Sequence, residues 1–173
     1  MTFAGYKVKK AYVQTFGEFA VFSFHDRNTP IRTRSKKERE LFAFLLDAGE
    51  PGATKEQLCA SLWSESESQN VKGLISVTLA QLKKDLAPLV IDELIQCRDR
   101  RYWICRDEIS CDFELFERVT RKKTPIDGGA SAALLSLYGG EYLADFEALW
   151  ATAKRIEYHK LYEGAVHMAK AGI

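Results

Sequence analysis

The apolar residues of this chain change their repeat twice, and the order of those changes limits the fold more than any single motif. From Tyr12 to Thr33 they fall in short runs rich in aromatic and β-branched residues. These are Tyr12-Val13-Gln14-Thr15-Phe16, then Phe19-Ala20-Val21-Phe22-Ser23-Phe24 beyond the break at Gly17-Glu18. A third run, Thr29-Pro30-Ile31-Arg32-Thr33, follows the turn-forming Asp26-Arg27-Asn28, and Pro30 belongs at an edge or at a strand start because it cannot donate to a ladder. From Ser35 the spacing becomes helical. Ser35 and Glu38 have the S-x-x-E spacing of a capping box ahead of Leu41, Phe42, Leu45 and Leu46, and Gly49 ends that helix. Thr54 and Gln57 form a second box that opens a short helix through Leu58 and Leu62 to Trp63. After the polar residues 64–69 a third helix runs from about Asn70 to Leu86, with Val71, Leu74, Ile75, Leu79, Leu82 and Leu86 as its apolar stripe and Pro88 as its stop. Two further strand-like runs, residues 93–98 and 102–105, are separated by Asp99-Arg100-Arg101. They read as a β-hairpin with a basic tip, although the Asn-Gly or Asp-Gly signature of a tight turn is missing.

Strands, three helices and a hairpin, in that order, are most simply met by a helix-turn-helix with a hairpin wing. The expected fold class is therefore α+β, a winged helix-turn-helix with an N-terminal antiparallel sheet over residues 1–111. Beyond it the pattern is helical, with no β signal. Asp112 is placed to cap a helix carrying Leu115, Phe116 and Val119, and residues 122–129, with Thr124-Pro125 and Asp127-Gly128-Gly129, read as a linker. A short helix over 130–138 ends at Gly139-Gly140. A long amphipathic helix follows over 145–171, with Phe146, Leu149, Trp150, Ala153, Ile156, Tyr158, Leu161, Tyr162, Ala165 and Met168 as its apolar candidates. Residues 112–173 are thus a second, all-α domain.

Composition removes several classes. No stretch approaches the ~20 apolar residues of a membrane helix, and Met1 to Lys10 has no apolar run of a signal peptide, so the expected place is cytoplasmic. Cys59, Cys97, Cys105 and Cys111 form no C-x-x-C pair and do not cluster with His25, His159 or His167. They read as reduced thiols, with no metal site and no cofactor. Phosphate-loop, dinucleotide, zinc-protease and nucleophile-elbow motifs are all missing, so no catalysis is expected. Net charge is only +1; residues 1–111 hold 17 basic and 15 acidic groups. A nucleic-acid partner therefore has to be sought in local clusters.

With these elements in place the residues resemble a known family. Thr15-Phe16-Gly17-Glu18-Phe19 and the stretch from Arg34 to Leu46 resemble the "FGxF … SKxxELLAxLL" opening of SARP-type regulators and OmpR-like response regulators. Leu62-Trp63 and the stretch from Leu79 to Leu86 are similar to their "LW … LxxLRxxL". Tyr102-Trp103-Ile104 followed by Cys111-Asp112-Phe113-Glu114-Leu115-Phe116 resembles their wing and the "D-x-x-x-F" leading into the next domain. The tail, through residues 137–143, Trp150-Ala151, Arg155 and Leu161-Tyr162, resembles the first part of the bacterial transcriptional activator domain, a TPR-like module. Such a module stacks several helix pairs, so the resemblance implies either a truncated chain or an unusually short member of a family that often carries a receiver domain upstream. It departs from the pattern in having Lys83 for the usual arginine, and Ala80 and Gln81 for basic residues; lysine neutralises phosphate without bidentate geometry.

This resemblance implies sequence-specific binding of double-stranded DNA, on direct repeats, by tandem association or as a homodimer, with RNA polymerase as a further partner class. The helix at about 70–86 would enter the major groove and the wing at about 95–105 the adjacent minor groove. Facing away from the stripe are Lys72, Gly73, Ser76, Val77, Ala80, Gln81, Lys83 and Lys84, while Thr78 lies at the boundary, where the resemblance places a base reader. Ser76, Thr78 and Gln81 suit base edges, and Lys72, Lys83 and Lys84 suit phosphates. Arg98, Arg100 and Arg101 cluster at the wing tip. Arg34, Lys36 and Lys37 stand at a helix start that the macrodipole makes unfavourable for cations, which favours a phosphate role. Trp63 packs as core and, in the family it resembles, also offers its indole N–H to a phosphate. The rival class is a protein–protein interaction module whose winged helix has lost DNA affinity, as near-neutral charge and few arginines on the helix allow.

Overall fold

The computed structural model describes residues 7–67, 69–121 and 128–171. The elements run β1 (Ala11–Gln14), β2 (Ala20–Ser23), β3 (Asp26–Pro30), α1 (Lys36–Ala48), β4 (Ala53–Thr54), α2 (Lys55–Leu62), α3 (Val71–Asp85), β5 (Ile95–Arg98), β6 (Arg101–Ile104) and β7 (Ile109–Cys111). Three helices follow, α4 (Asp112–Thr120), α5 (Gly128–Leu137) and α6 (Thr152–Ala171). One sheet has strand order β3-β2-β1-β7 and the other β4-β6-β5. This is the α+β composition the two changes of repeat predict.

Two compact units share the chain. Residues 1–11 and 21–109 form the first, and residues 12–20 and 110–173 the second. In the first unit α1 starts at Ser35, whose hydroxyl accepts the Glu38 N–H, and ends at Gly49, whose N–H donates to the Leu45 carbonyl and whose positive φ turns the chain away. Thr54 and Gln57 form the full reciprocal box of α2. Asn70 caps α3 by accepting the Gly73 N–H, and a Cβ at Gly73 would collide with that asparagine side chain. Leu41, Phe42, Leu45 and Leu46 of α1, Leu58 and Leu62 of α2, and Ile75, Leu79 and Leu82 of α3 are all buried. Each helix thus supplies one stripe to a common core. The hairpin β5–β6 pairs Ile95 with Ile104 and Arg98 with Arg101, and β4 adds to it through Ala53 and Thr54. A side chain at Gly52 would strike the Tyr102 carbonyl, so the approach of β4 requires glycine there.

The second unit is built around Phe16. Its ring meets those of Phe116, Tyr138, Tyr142 and Tyr158 at centroid separations of 4.9, 5.0, 6.1 and 5.4 Å. Around it Thr15 and Gly17 exchange backbone bonds with residues 141–144, the Leu143 N–H donating to the Thr15 carbonyl at 2.7 Å. Arg155 closes this turn by donating to the carbonyls of Tyr142, Leu143 and Phe146.

Several boundaries differ from the sequence expectation. The first turn lies at Phe24-His25, and Asp26-Arg27-Asn28 belong to β3, where the Asp26 carboxylate takes the Asn28 N–H. Pro30 ends that strand, which is an edge strand. The short strands β4 and β7 carry too few residues to show alternation. Cys111, not Asp112, is the N-cap residue of α4; Asp112 is buried and accepts from the N–H groups of Thr15, Phe16 and Phe113 and from the Thr15 hydroxyl. Gly128 and Gly129 open α5 instead of ending a linker, the rest of which (122–127) lies outside the described residues. The final helix begins at Thr152, because the backbone at residues 141–146 is committed to Thr15, Gly17 and Arg155. It buries Tyr158 but leaves Ile156 and Met168 exposed, and Leu149, in the turn before it, is exposed too.

Candidate nucleic-acid interface

Because α1 and α2 both pack on α3, one face of α3 is spent and the other is available. Ile75, Leu79 and Leu82 point into the core; Lys72, Ser76, Val77, Ala80, Lys83 and Lys84 are exposed. Leu74 does not join the buried stripe. It is 41% exposed, since one residue along an α-helix turns the side chain by about 100° from Ile75.

Four of the polar groups singled out on α3, those of Lys72, Ser76, Thr78 and Gln81, are engaged within the chain. Lys72 forms an ion pair with Glu56 of α2 at 2.7 Å, which raises the lysine pKa and lowers that of the carboxylate. Ser76 accepts from Lys55 at 2.7 Å and donates to the Lys72 carbonyl. Thr78 donates its hydroxyl to the Leu74 carbonyl at 2.7 Å. Gln81 accepts from the Arg34 guanidinium at 3.1 Å and donates to Asp85, also at 3.1 Å. Arg34 further holds Asp85 through its own N–H at 2.9 Å and through Nε at 3.4 Å. Arg34 is therefore not displayed at the start of α1 alone but bound to the end of α3.

Behind that clamp lie the carboxyl groups of Glu38 and Asp85. Burial raises the pKa of Glu38, and the neighbouring Asp85 raises it further. Desolvation acts on Asp85 too, but hydrogen bonds from Glu38, the Arg34 backbone and Gln81 outweigh it, and its pKa is lowered. The two shifts run in opposite directions, so Glu38 takes up a proton before Asp85 does as pH falls. Only Oε1 of Glu38 meets the Ser35 hydroxyl, so the S-x-x-E spacing serves this junction as much as the cap.

The hairpin supplies the second basic element. Its turn is the two residues Asp99-Arg100, at φ 51° and 62°. Two successive left-handed residues are what a tight hairpin turn requires, so the turn forms without the glycine that normally eases it. Arg100 stands at the tip. Arg98 borders a cleft of about 590 Å³ shared with Lys83, Leu86, Leu94 and Trp103, between the end of α3 and the hairpin. Arg101 corrects the expectation of a three-arginine tip, for it is half-buried on β6 and donates to the Gly52 carbonyl at 3.3 Å. Lys36 is exposed at the first turn of α1. Trp63 caps the end of α2, half-buried, with the Lys37 ammonium 5.2 Å above its ring and bound to the Leu62 carbonyl at 2.6 Å. Lys55 was not singled out by sequence; its signal is a cation in the first turn of α2, the same argument that drew attention to Lys36.

This order of elements has a counterpart among solved structures. The fold is shared with Mycobacterium tuberculosis EmbR. The structure of EmbR in complex with a low-affinity phosphopeptide matches with a TM-score of 0.75 at 17% identity, over 91% of this chain and 44% of the EmbR chain. The chain thus spans less than half the length of EmbR, and the likeness concerns the fold. No family model and no curated protein matches the sequence. Among the described residues no group of three His, Cys, Asp or Glu side chains is placed to hold a metal, and no helix is long and apolar enough to cross a membrane.

Proposed function

We propose that this chain is a SARP-type transcription regulator that binds double-stranded DNA in a sequence-specific manner, with residues 1–111 as its DNA-binding part and 112–173 as the start of a helical regulatory part. The observation that carries the reading is α3: a helix buried on one face by α1 and α2, exposed on the other, and flanked by a hairpin with arginine at its tip. The fold shared with EmbR over 91% of this chain accommodates the same reading. In it α3 enters the major groove, Lys72, Lys83, Lys84 and Lys36 meet phosphates, and Ser76, Thr78 and Gln81 lie near base edges. Arg98 and Arg100 reach the adjacent minor groove, Arg101 holds the hairpin, and Trp63 and Arg34 sit at the backbone. Copies bind direct repeats in tandem. The ion pair at Lys72 and the clamp on Arg34 would exchange their carboxylates for phosphates on binding.

The rival reading, a protein-interaction module, draws on those same pairings and on the net charge of +1. Fluorescence anisotropy across a salt series decides, on duplexes selected from random sequence. Enrichment of one motif, with log K falling by about 0.9 per phosphate contact against log salt, supports the regulator. The triple variant Thr78→Ala, Gln81→Ala, Lys83→Ala should weaken that motif selectively, and Arg98→Ala with Arg100→Ala should make the salt slope shallower. Weak binding with no enrichment and no response to either variant would overturn it.

A further inference from the structure

The outward face of α3 is apolar at its centre, and this deepens the proposed reading, on which it rests. With about 100° between successive residues, Gly73, Val77, Ala80 and Lys84 lie opposite the buried stripe, and Leu74 and Thr78 border them on one side. Val77 is 67% exposed and Leu74 41% exposed, an unusual placement for two branched aliphatic residues one helical turn apart. The neighbouring polar groups do not offset this. The Thr78 hydroxyl is spent on the Leu74 carbonyl; Ser76 is held by Lys55 and by the Lys72 carbonyl, and Gln81 by Arg34 and Asp85. What the face offers is therefore a row of aliphatic groups, from Leu74, Val77 and Ala80, with the exposed lysines Lys83 and Lys84 beside it and Lys72 paired to Glu56.

That combination fits one class of occupant. A polyanion is required by the lysines, and among the groups exposed in the major groove of DNA only the thymine C5-methyl is apolar. We infer that α3 reads its operator chiefly through thymine methyls, at two or more neighbouring base pairs facing Val77 and Ala80, and only secondarily through hydrogen bonds to base edges. A second protein would also cover exposed aliphatic residues, but the lysine border disfavours a neutral apolar surface there.

The test uses the full chain and the motif enriched from random duplexes. Each thymine of that motif is replaced in turn by deoxyuridine, which keeps every hydrogen-bonding group and removes only the methyl. Binding should fall about three- to fivefold for each methyl buried, and Val77→Ala should abolish the thymine–uridine difference at one position while the differences at the others persist. An enriched motif bound equally well with thymine or deoxyuridine throughout would overturn methyl readout and leave the regulator reading in place. No enrichment and no DNA binding at low salt would overturn both, and Val77→Ala altering self-association in sedimentation instead would assign the face to a second copy.

Discussion

Glu56 shows how a single exposed carboxylate can set the strength of a surface that also holds cations. Its bond to Lys72 joins two exposed side chains, so it adds little to folding, but it occupies one of the lysines proposed for phosphate. Glu56→Gln should leave the thermal melting curve unchanged and raise DNA affinity several-fold at low salt, with a steeper salt slope in the same anisotropy titration. Asp112 is the opposite case, a carboxylate whose value is entirely internal. It takes three backbone N–H groups and one hydroxyl, all buried. Burial raises its pKa even though those donors pull the other way. Asp112→Ala would orphan the Thr15 and Phe16 amides at the centre of the second unit, and should cost on the order of 2–4 kcal/mol in chemical denaturation. Asp112→Asn should cost less, since it keeps one acceptor.

At the scale of elements the hairpin is the informative piece. A chain that only needed the turn would place glycine at Arg100, where φ is 62°. Keeping arginine in a left-handed conformation costs about 1 kcal/mol, and such a local conflict marks a position held for its side chain. Arg100→Gly should therefore raise stability by about that amount in denaturant titration and, on the proposed reading, reduce the salt slope of DNA binding by about one unit. The basic tip and the two flanking runs were legible in sequence, as were the two N-caps of α1 and α2, because caps and hairpins are local. The inward turn of Arg101 was not, since it depends on β4 coming alongside β6. Nor could periodicity tell that Leu74 leaves the stripe. Apolar residues at i, i+3 and i+4, here Val71, Leu74 and Ile75, allow either of two neighbouring angles, and the packing of α1 and α2 chooses between them.

At the scale of the whole molecule, pH should report the joint between the starts and ends of helices. Glu38 has a raised pKa in the folded state, so between its unfolded value near 4.5 and that raised value the native chain binds more protons than the unfolded one. Stability must then fall as pH rises through that window. The lowered pKa of Asp85 acts below about pH 3.8, where stability falls as pH drops. Glu38→Gln keeps a donor for Asp85 and removes the titration, so its melting temperature should be flatter above pH 4.5 than that of wild type, in scanning calorimetry over pH 4 to 7. The sequence by itself determined the α+β class and the strand–helix–hairpin order, because each rests on repeats and caps within a few residues. Only the tertiary structure decided that Tyr12–Ala20 groups with the C-terminal segment, that Phe16 sits at the centre of an aromatic cluster, and that Glu38, Arg34, Gln81 and Asp85 form one network. Those partners stand between about 40 and 140 residues apart in the chain, and contacts of that separation are chosen by burial and hydrogen-bond satisfaction, for which no local pattern of residues stands as a sign.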